Sequence, residues 1–412
     1  MGIGPSSKET TLHHYRDPII KLLSKESEID FKGILVQGTP ENVANKEFIA
    51  YRTGVFLDSM DVDGVIISID SWGNSHVDFA TTIEEVARRG IKVVGMSFVG
   101  NQASFVVTNK YMDTIIDINK TSEGIETTVV GQNTLTFEDA YKAVKLLINK
   151  IYKQNNYKKP ELEEKIVSRK LNVFSFEIED VIYGEKSCIK EQKLIIDPLY
   201  PQKLLNKYNH IENVNVRIIK PSERYLSVNS ILDFWPISVK VEGKLGEGIT
   251  HEISNVKVML TAVENKGFQP ANIGSSEGIL ENKVIFNKRG TPDKDETIIH
   301  VDVILKEGQG RTKEGIFSAH MICDEIVNKI RKDLKQMNNY KDEVIFEEVK
   351  NIGLPKVMLV KLVSGLGCMY DTAIFPNEPS GIIGAKSIMD YGNIQLFLSP
   401  NEYKDGALHS LT

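Results

Sequence analysis

Cysteine is scarce: Cys188, Cys323 and Cys368 are the only three in 412 residues. No two of them form a CxxC pair, which excludes a zinc ribbon or a thioredoxin-type site. Isolated thiols fit a reducing compartment, so a cytoplasmic protein is expected. Long apolar runs are missing as well. None approaches the roughly 18 residues that span a bilayer, so no membrane association is expected. The first 18 residues are polar and lack the apolar core of a secretory signal. Gly2 and Ser6 fit a myristoylation pattern, but Pro5 suits an extended acceptor peptide poorly and the match is read as chance. Basic charge is not in excess: 50 Lys and Arg stand against 56 Asp and Glu, a net charge of -6. With no basic stripe, nucleic acid is not an expected partner. Standard catalytic signatures are absent too: there is no GxSxG elbow, Walker loop, HExxH or GxGxxG behind a strand.

What is present is a regular alternation. Hydrophobic residues make up 41% and charged residues 26% of the chain, the balance of a globular protein long enough for two domains. Apolar runs at 33–38, 65–69 and 91–96 read as buried strands. Between them, residues 42–60 carry Val43, Phe48, Tyr51, Val55 and Met60 near helical spacing, and 78–89 opens with acids and closes on Arg88 and Arg89, as the helix dipole favours. A further helix is expected over about 104–118. Another is expected from about 136 to 153, with Thr136 as its cap. Strands separated by such helices predict an α/β fold with a doubly wound, mainly parallel sheet over residues 1–152. Residues 153–169 lose apolar periodicity and are expected to be a linker. Residues 170–412 read as a larger α+β domain, with strands near 171–178, 213–219, 237–242, 253–263, 296–305 and 356–363 and a long helix over 315–336.

Chemistry-bearing residues are few. His13 and His14 are adjacent, so on a regular element they face different ways and make a poor metal pair; a surface or capping role is expected, and no metal site. In open α/β sheets ligands bind at the C-terminal ends of the strands. The loops that follow the second and third strands place Trp72, Asn74, His76, Asn101 and Gln102 at that edge. Amide donors, an indole face and an imidazole suit a small zwitterionic ring. The alternative is a loop whose Asn and Asp residues cap helices.

Several phrases carry a resemblance. They include Asp63-Gly64-Val65-Ile66-Ile67-Ser68, Gly73-Asn74, Arg89-Gly90-Ile91-Lys92-Val93-Val94, Asn133-Thr134-Leu135-Thr136-Phe137-Glu138-Asp139-Ala140 and Gly353-Leu354-Pro355-Lys356. Together they resemble the pyruvoyl proproteins of the D-proline reductase and glycine, sarcosine and betaine reductase protein B family. The first half is similar to the post-cleavage part of such a proprotein, and residues 170–412 to its pre-cleavage part. The order of the halves is therefore exchanged, like a fusion of two accessory proteins each related to one half. In the family a cysteine after a threonine becomes the pyruvoyl group. Here Thr412 and Gly2 fall at that degenerate junction, and glycine has no side-chain nucleophile. No pyruvoyl cofactor is expected. The resemblance implies a non-processing relative that serves assembly, maturation or structure of a proline reductase in Stickland amino-acid fermentation. Its implied partners are proline reductase subunits in an oligomeric complex, with D-proline or another imino acid as candidate ligand. An active D-proline reductase component and an imino-acid sensor are the alternatives.

Overall fold

The computed structural model describes residues 10–40, 42–69, 73–101, 104–118, 121–124, 129–153, 161–265, 277–310, 312–366, 369–370 and 393–409. The first part runs α1 (Thr11–Tyr15), α2 (Pro18–Leu23), β1 (Asp30–Thr39), α3 (Val43–Ser59) and β2 (Gly64–Ile69). It continues through α4 (Ser75–Ala87), β3 (Lys92–Ser97), β4 (Ile115–Asp117) and α5 (Phe137–Lys153). Then come β5 (Glu164–Phe176), β6 (Asp180–Tyr183), β7 (Cys188–Lys190), β8 (Lys193–Ile196), a 3-10 turn over Pro201–Lys207, β9 (Ile211–Ile219) and β10 (Ser227–Val228). These are followed by β11 (Ile231–Glu242), β12 (Gly248–Glu264), β13 (Gly278–Ile279), α6 (Leu280–Lys283), β14 (Thr297–Leu305) and α7 (Lys313–Leu334). The last elements are β15 (Asp342–Ile352), β16 (Lys356–Leu366), β17 (Met369–Tyr370), β18 (Leu396–Leu398) and α8 (Pro400–His409).

The expected mixed α/β class holds, with parallel pairing in three of the sheets among the described residues. The first sheet has the order β18-β1-β16-β2-β3-β4, and all but β18 run parallel along that path. Its strands read as continuous apolar runs because both faces are covered. Ile34, Val36, Ile66, Val94 and Leu359 pack under α2 and α5 on one face. Leu35, Val65, Ile67, Val93, Met358 and Val360 pack under α3 and α4 on the other.

The expected division into 1–152 and 170–412 does not follow the sheets. The strand β16, from the larger half, lies between β1 and β2, hydrogen-bonded to both. Its run Val357-Met358-Leu359-Val360 is apolar on every residue, and only a central position buries both faces of such a strand. The expected linker is also shorter: residues 164–169 already belong to β5, where they pair with β15. Residues 154–160 lie outside the described residues.

The second sheet has the order β15-β5-β12-β14-β9, with β11 also paired to β12. The helix α7 lays Ile316, Ile322, Ile326, Val327 and Ile330 on one face of it. On the other face the N-terminal segment returns: Leu12, fully buried, packs with Ile231, Phe234, Met259 and Ile298. Burying one such leucine contributes about 1.5–3 kcal/mol, which fixes α1 to a sheet built more than 200 residues later.

Two helical expectations change. In α3 the stripe Val43, Phe48, Tyr51 and Val55 faces solvent, with Phe48 58% exposed. The buried face is Lys46, Ile49, Ala50, Thr53, Gly54 and Leu57. Small residues win because α4 comes close: a Cβ on Gly54 would stand 2.8 Å from the Glu85 carbonyl oxygen. Over the described part of 104–118 there is no helix. The Asn109 amide donates to the Ala80 carbonyl at 2.8 Å and its oxygen accepts from the Tyr111 N–H at 3.0 Å. That side chain diverts the backbone from helical pairing, in the manner of an Asx turn, and the segment ends as β4.

Candidate functional site

Strand alternation sets the chemistry of the first sheet's C-terminal edge. Leu35 faces α3 and α4, so Gln37 and Thr39 face the same way, beyond the apolar core. Gln37 accepts from the Thr53 hydroxyl of α3 and donates to Thr82 of α4 at 3.4 Å. Lys46 of α3 and Asp78 of α4 form an ion pair in which both side chains are buried. His76, the second residue of α4, is fully buried, with Phe105 4.8 Å away between ring centres. Its Nδ1 accepts a long 3.4 Å hydrogen bond from the Val106 N–H.

Five buried polar atoms at this edge have no partner among the described residues: Thr39 Oγ1, Ser75 Oγ, His76 Nε2, Asp78 Oδ1 and Ser97 Oγ. Native structures rarely leave such atoms unpaired, and their concentration at one edge marks a place for a ligand or water. Burial pulls the His76 imidazole down to about 4, so it is neutral near pH 7. Burial pushes the Asp78 carboxyl up to about 7, against the pull of Lys46. The edge therefore offers a neutral imidazole, a cation and a carboxyl that changes protonation near neutrality, groups capable of binding and proton transfer. His76 and Asp78 are two apart on one helix and face different ways, so they do not form one acid–base pair.

Of the residues expected at this edge, the structure brings His76 inward and leaves two others out. Asn74 is exposed at the start of α4 and makes no capping bond. Asn101 is exposed; its N–H donates to Gly124 at 2.7 Å and its amide to Glu123 at 3.3 Å, which ties two loops together. Trp72 and Gln102 lie outside the described residues, as do Gly2 and Thr412. The sequence reading missed Lys46 and Asp78. Their signal is a lysine in register with Ile49, Ala50 and Thr53, a charge on the buried face of α3. Among the described residues no group of His, Cys, Asp and Glu is arranged to hold a metal ion, and no helix is long and apolar enough to cross a membrane.

A second polar cluster joins the two ends of the chain. His13 and His14, expected at the surface, are both buried. His14 Nδ1 and the Tyr403 hydroxyl share a 2.6 Å hydrogen bond between α1 and α8. Lys361, from the middle of β16, pairs with Asp17 at 3.0 Å and lies 5.5 Å from the Tyr403 ring centre. Asp233 accepts from the Thr11 N–H and hydroxyl at 2.9 and 2.8 Å. Asp405 accepts from Lys240 at 2.6 Å, the Thr250 hydroxyl at 2.7 Å and the Gly246 N–H at 2.8 Å. The pattern is a set of buried charges paired across segments far apart in sequence.

A sequence profile of the glycine/sarcosine/betaine reductase component B subunits matches residues 2–135 and 169–410. The chain belongs to that family. It is 35% identical over 258 residues to the D-proline reductase proprotein PrdA of Acetoanaerobium sticklandii, a match over 61% of this chain and 40% of that protein. It is 33% identical over 94 residues to the sarcosine reductase complex component B subunit alpha of Peptoclostridium acidaminophilum, 22% of each chain. It is 24% identical over 262 residues to the glycine reductase complex component B subunits alpha and beta of the same organism, 58% of this chain and 56% of that one. The chain thus spans well under two thirds of the length of these relatives. No solved structure matches it. The relationship supports a role in a reductase system of this kind.

Proposed function

We propose that this component B relative serves a proline-reductase-type complex without forming a pyruvoyl group of its own. The observation that carries the reading is the docking of α1 on α8 through His14 and Tyr403, 389 residues apart. With β16 inserted between β1 and β2, the two matched blocks interlock as the halves of one cleaved protein would, rejoined in exchanged order. The same reading takes the first sheet as doubly wound and the remainder as an α+β unit.

The cysteines do not fit a pyruvoyl precursor. Cys188 follows Ser187, Cys323 follows Ile322 and Cys368 follows Gly367, so none has a threonine before it. Cys323 sits inside α7, where burial raises its thiol well above the usual range. Cys188 opens β7, and scission there would cut a three-stranded sheet. Gly2, at the position the resemblance gives to the cysteine, carries no nucleophile. What this leaves is a part in assembly, maturation or structure beside the reductase subunits, with a small imino acid such as D-proline as ligand at the sheet edge near Asn74 and His76.

Two measurements test this. Intact-mass spectrometry after borohydride treatment should give one unmodified chain; a fragment with a reducible carbonyl at its start would restore the active-enzyme alternative. Reductase subunits assembled with and without the chain should differ in yield or activity of the complex, and equal complexes would end the accessory reading. A sensor role is favoured separately by the unpaired atoms at the sheet edge. It requires that D-proline bind the isolated chain and that Asn74→Ala with His76→Ala abolish binding.

A further inference from the structure

Far from the sheet edge, a cleft of about 370 Å³ opens between α2, the loop at Arg289, β15 and α8. Besides Arg16, four cations line it: Lys21, Lys25, Arg289 and Lys404. None of the four has a carboxylate partner among the described residues, although the protein as a whole carries a net charge of -6. The other charges at its wall are already engaged. Arg16 lies 3.5 and 3.6 Å from Asp293 and Glu296, Asp17 pairs with Lys361 at 3.0 Å, and Glu347 pairs with Lys170 at 2.9 Å. The four cations thus outnumber the carboxylates at the wall, Asp17 and Glu347, and both of those are already paired.

Lys404 is the residue that needs explaining. It is 7% exposed, yet its ammonium has only the Tyr15 carbonyl oxygen at 3.5 Å and the Phe346 ring face at 5.0 Å. An ammonium carries three donors, and a charge taken out of water without a carboxylate in direct contact is costly. Burial holds its pKa down at about 8; Asp17, already paired with Lys361, pulls it back up in part, and Lys21 and Lys25 push it further down. In the same wall the Ser24 hydroxyl is buried without a partner. A bound anion would satisfy both groups and offset the repulsion among the cations.

We propose that this cleft binds a small, multiply charged anion, an organic phosphate or polycarboxylate, with Lys404 at its floor and Lys21, Lys25 and Arg289 at its rim. A single negative charge would leave most of the four cations unpaired, so the ligand carries at least two. The enclosed volume suits a small molecule rather than a polymer. Phe346 at the floor offers an apolar face to the ligand's carbon skeleton.

The test is isothermal titration of the full chain with inorganic pyrophosphate and, separately, with citrate, each at low and at high salt. One-to-one binding of at least one probe, weakened by salt, is expected. Preference for pyrophosphate would identify a phosphate ligand, and preference for citrate a polycarboxylate. Lys404→Gln should weaken binding by about tenfold or more, the worth of one charge-assisted hydrogen bond. The double variant Lys21→Gln, Lys25→Gln changes exposed residues that the fold does not need, and should weaken binding by a similar factor. It keeps the test valid if Lys404→Gln unfolds. Failure of both probes to bind, or affinity unchanged in the double variant, overturns the proposal. Neither result bears on the mass and reconstitution experiments above.

Discussion

Replacing His76 by Gln tests whether the sheet edge holds a neutral imidazole. Burial pulls the folded-state pKa down to about 4, against 6.5 for the free side chain. Between these two values the unfolded chain binds up to one more proton here than the folded chain. Stability supplied by the neutral ring is therefore present above pH 6.5 and is lost as pH falls toward 4, at no more than about 1.4 kcal/mol per pH unit. Across the window from 6.5 to about 4 this amounts to a loss of up to about 3 kcal/mol. Asp78 acts in the opposite sense. Its folded pKa of about 7 lies above the ordinary 3.8, so its contribution to stability grows as pH falls from about 7 toward 4. The two effects nearly cancel across the shared window, and a stability curve of the wild type alone would hide both. The difference between wild type and His76→Gln removes Asp78 and every other group. Urea unfolding at steps from pH 4 to 8 should give a constant difference above 6.5, then a steady gain of the variant over wild type toward pH 4. Curves that stay parallel down to pH 4 would refute a buried neutral ring.

Asp405→Ala strips Lys240 of its buried counter-charge and removes the acceptor for Thr250 and Gly246. It should cost roughly 3–5 kcal/mol in urea unfolding, and a loss under about 1 kcal/mol would show that α8 is held by other contacts. At Gly95 a Cβ would stand 2.7 Å from Phe79 Cζ and meet Ile115 as well. Gly95→Val should therefore cost about 1–3 kcal/mol by overpacking, read as a lower melting temperature; an unchanged value would mean that α4 and β4 move aside freely. A protease site placed within 154–160 should yield two pieces that remain together on size exclusion, because β16 pairs with strands of the other piece. Recovery of two separate folded monomers would contradict that pairing.

The sequence announces elements better than it announces neighbours. The strands near 33–38, 65–69 and 91–96 were legible because each is apolar on successive residues, the mark of burial on both faces. The run at 356–363 carries the same mark, but nothing local says that its partners are β1 and β2, some 300 residues earlier. In α3 the apolar residues Val43 and Phe48 suggest a buried face, while the true buried face holds Lys46 and Gly54. That choice depends on Asp78, 32 residues away, and on how closely α4 approaches. At the candidate site, position in a parallel sheet was enough to point to the loop before α4 and to His76. The Lys46–Asp78 pair was not legible, since a lysine reads as a solvated residue until its counter-ion is known. The burial of His13 and His14 was hidden for a similar reason: Tyr403 and the second sheet, which enclose them, come from the far end of the chain.

Lys361 shows what the interleaving does to folding. It is a charged residue in the middle of a central parallel strand, a position that otherwise excludes charge, and it is tolerated because Asp17 meets it at 3.0 Å. A piece ending near residue 152 would leave Asp17 without this counter-charge, and β1 and β2 on either side of a gap. A piece beginning near residue 170 would carry β16 as an apolar strand with no sheet to enter and an ammonium at its centre. Breaking such a buried pair costs about 3–5 kcal/mol, a large fraction of the stability of an ordinary domain. The unpaired strand edges add to that cost. Neither half therefore encloses a complete core, and each supplies the charge and the hydrogen-bonding edge that the other lacks. A covalent connection between 153 and 164 keeps these two incomplete halves at high effective concentration, so pairing of β16 with β1 and β2 becomes an intramolecular step.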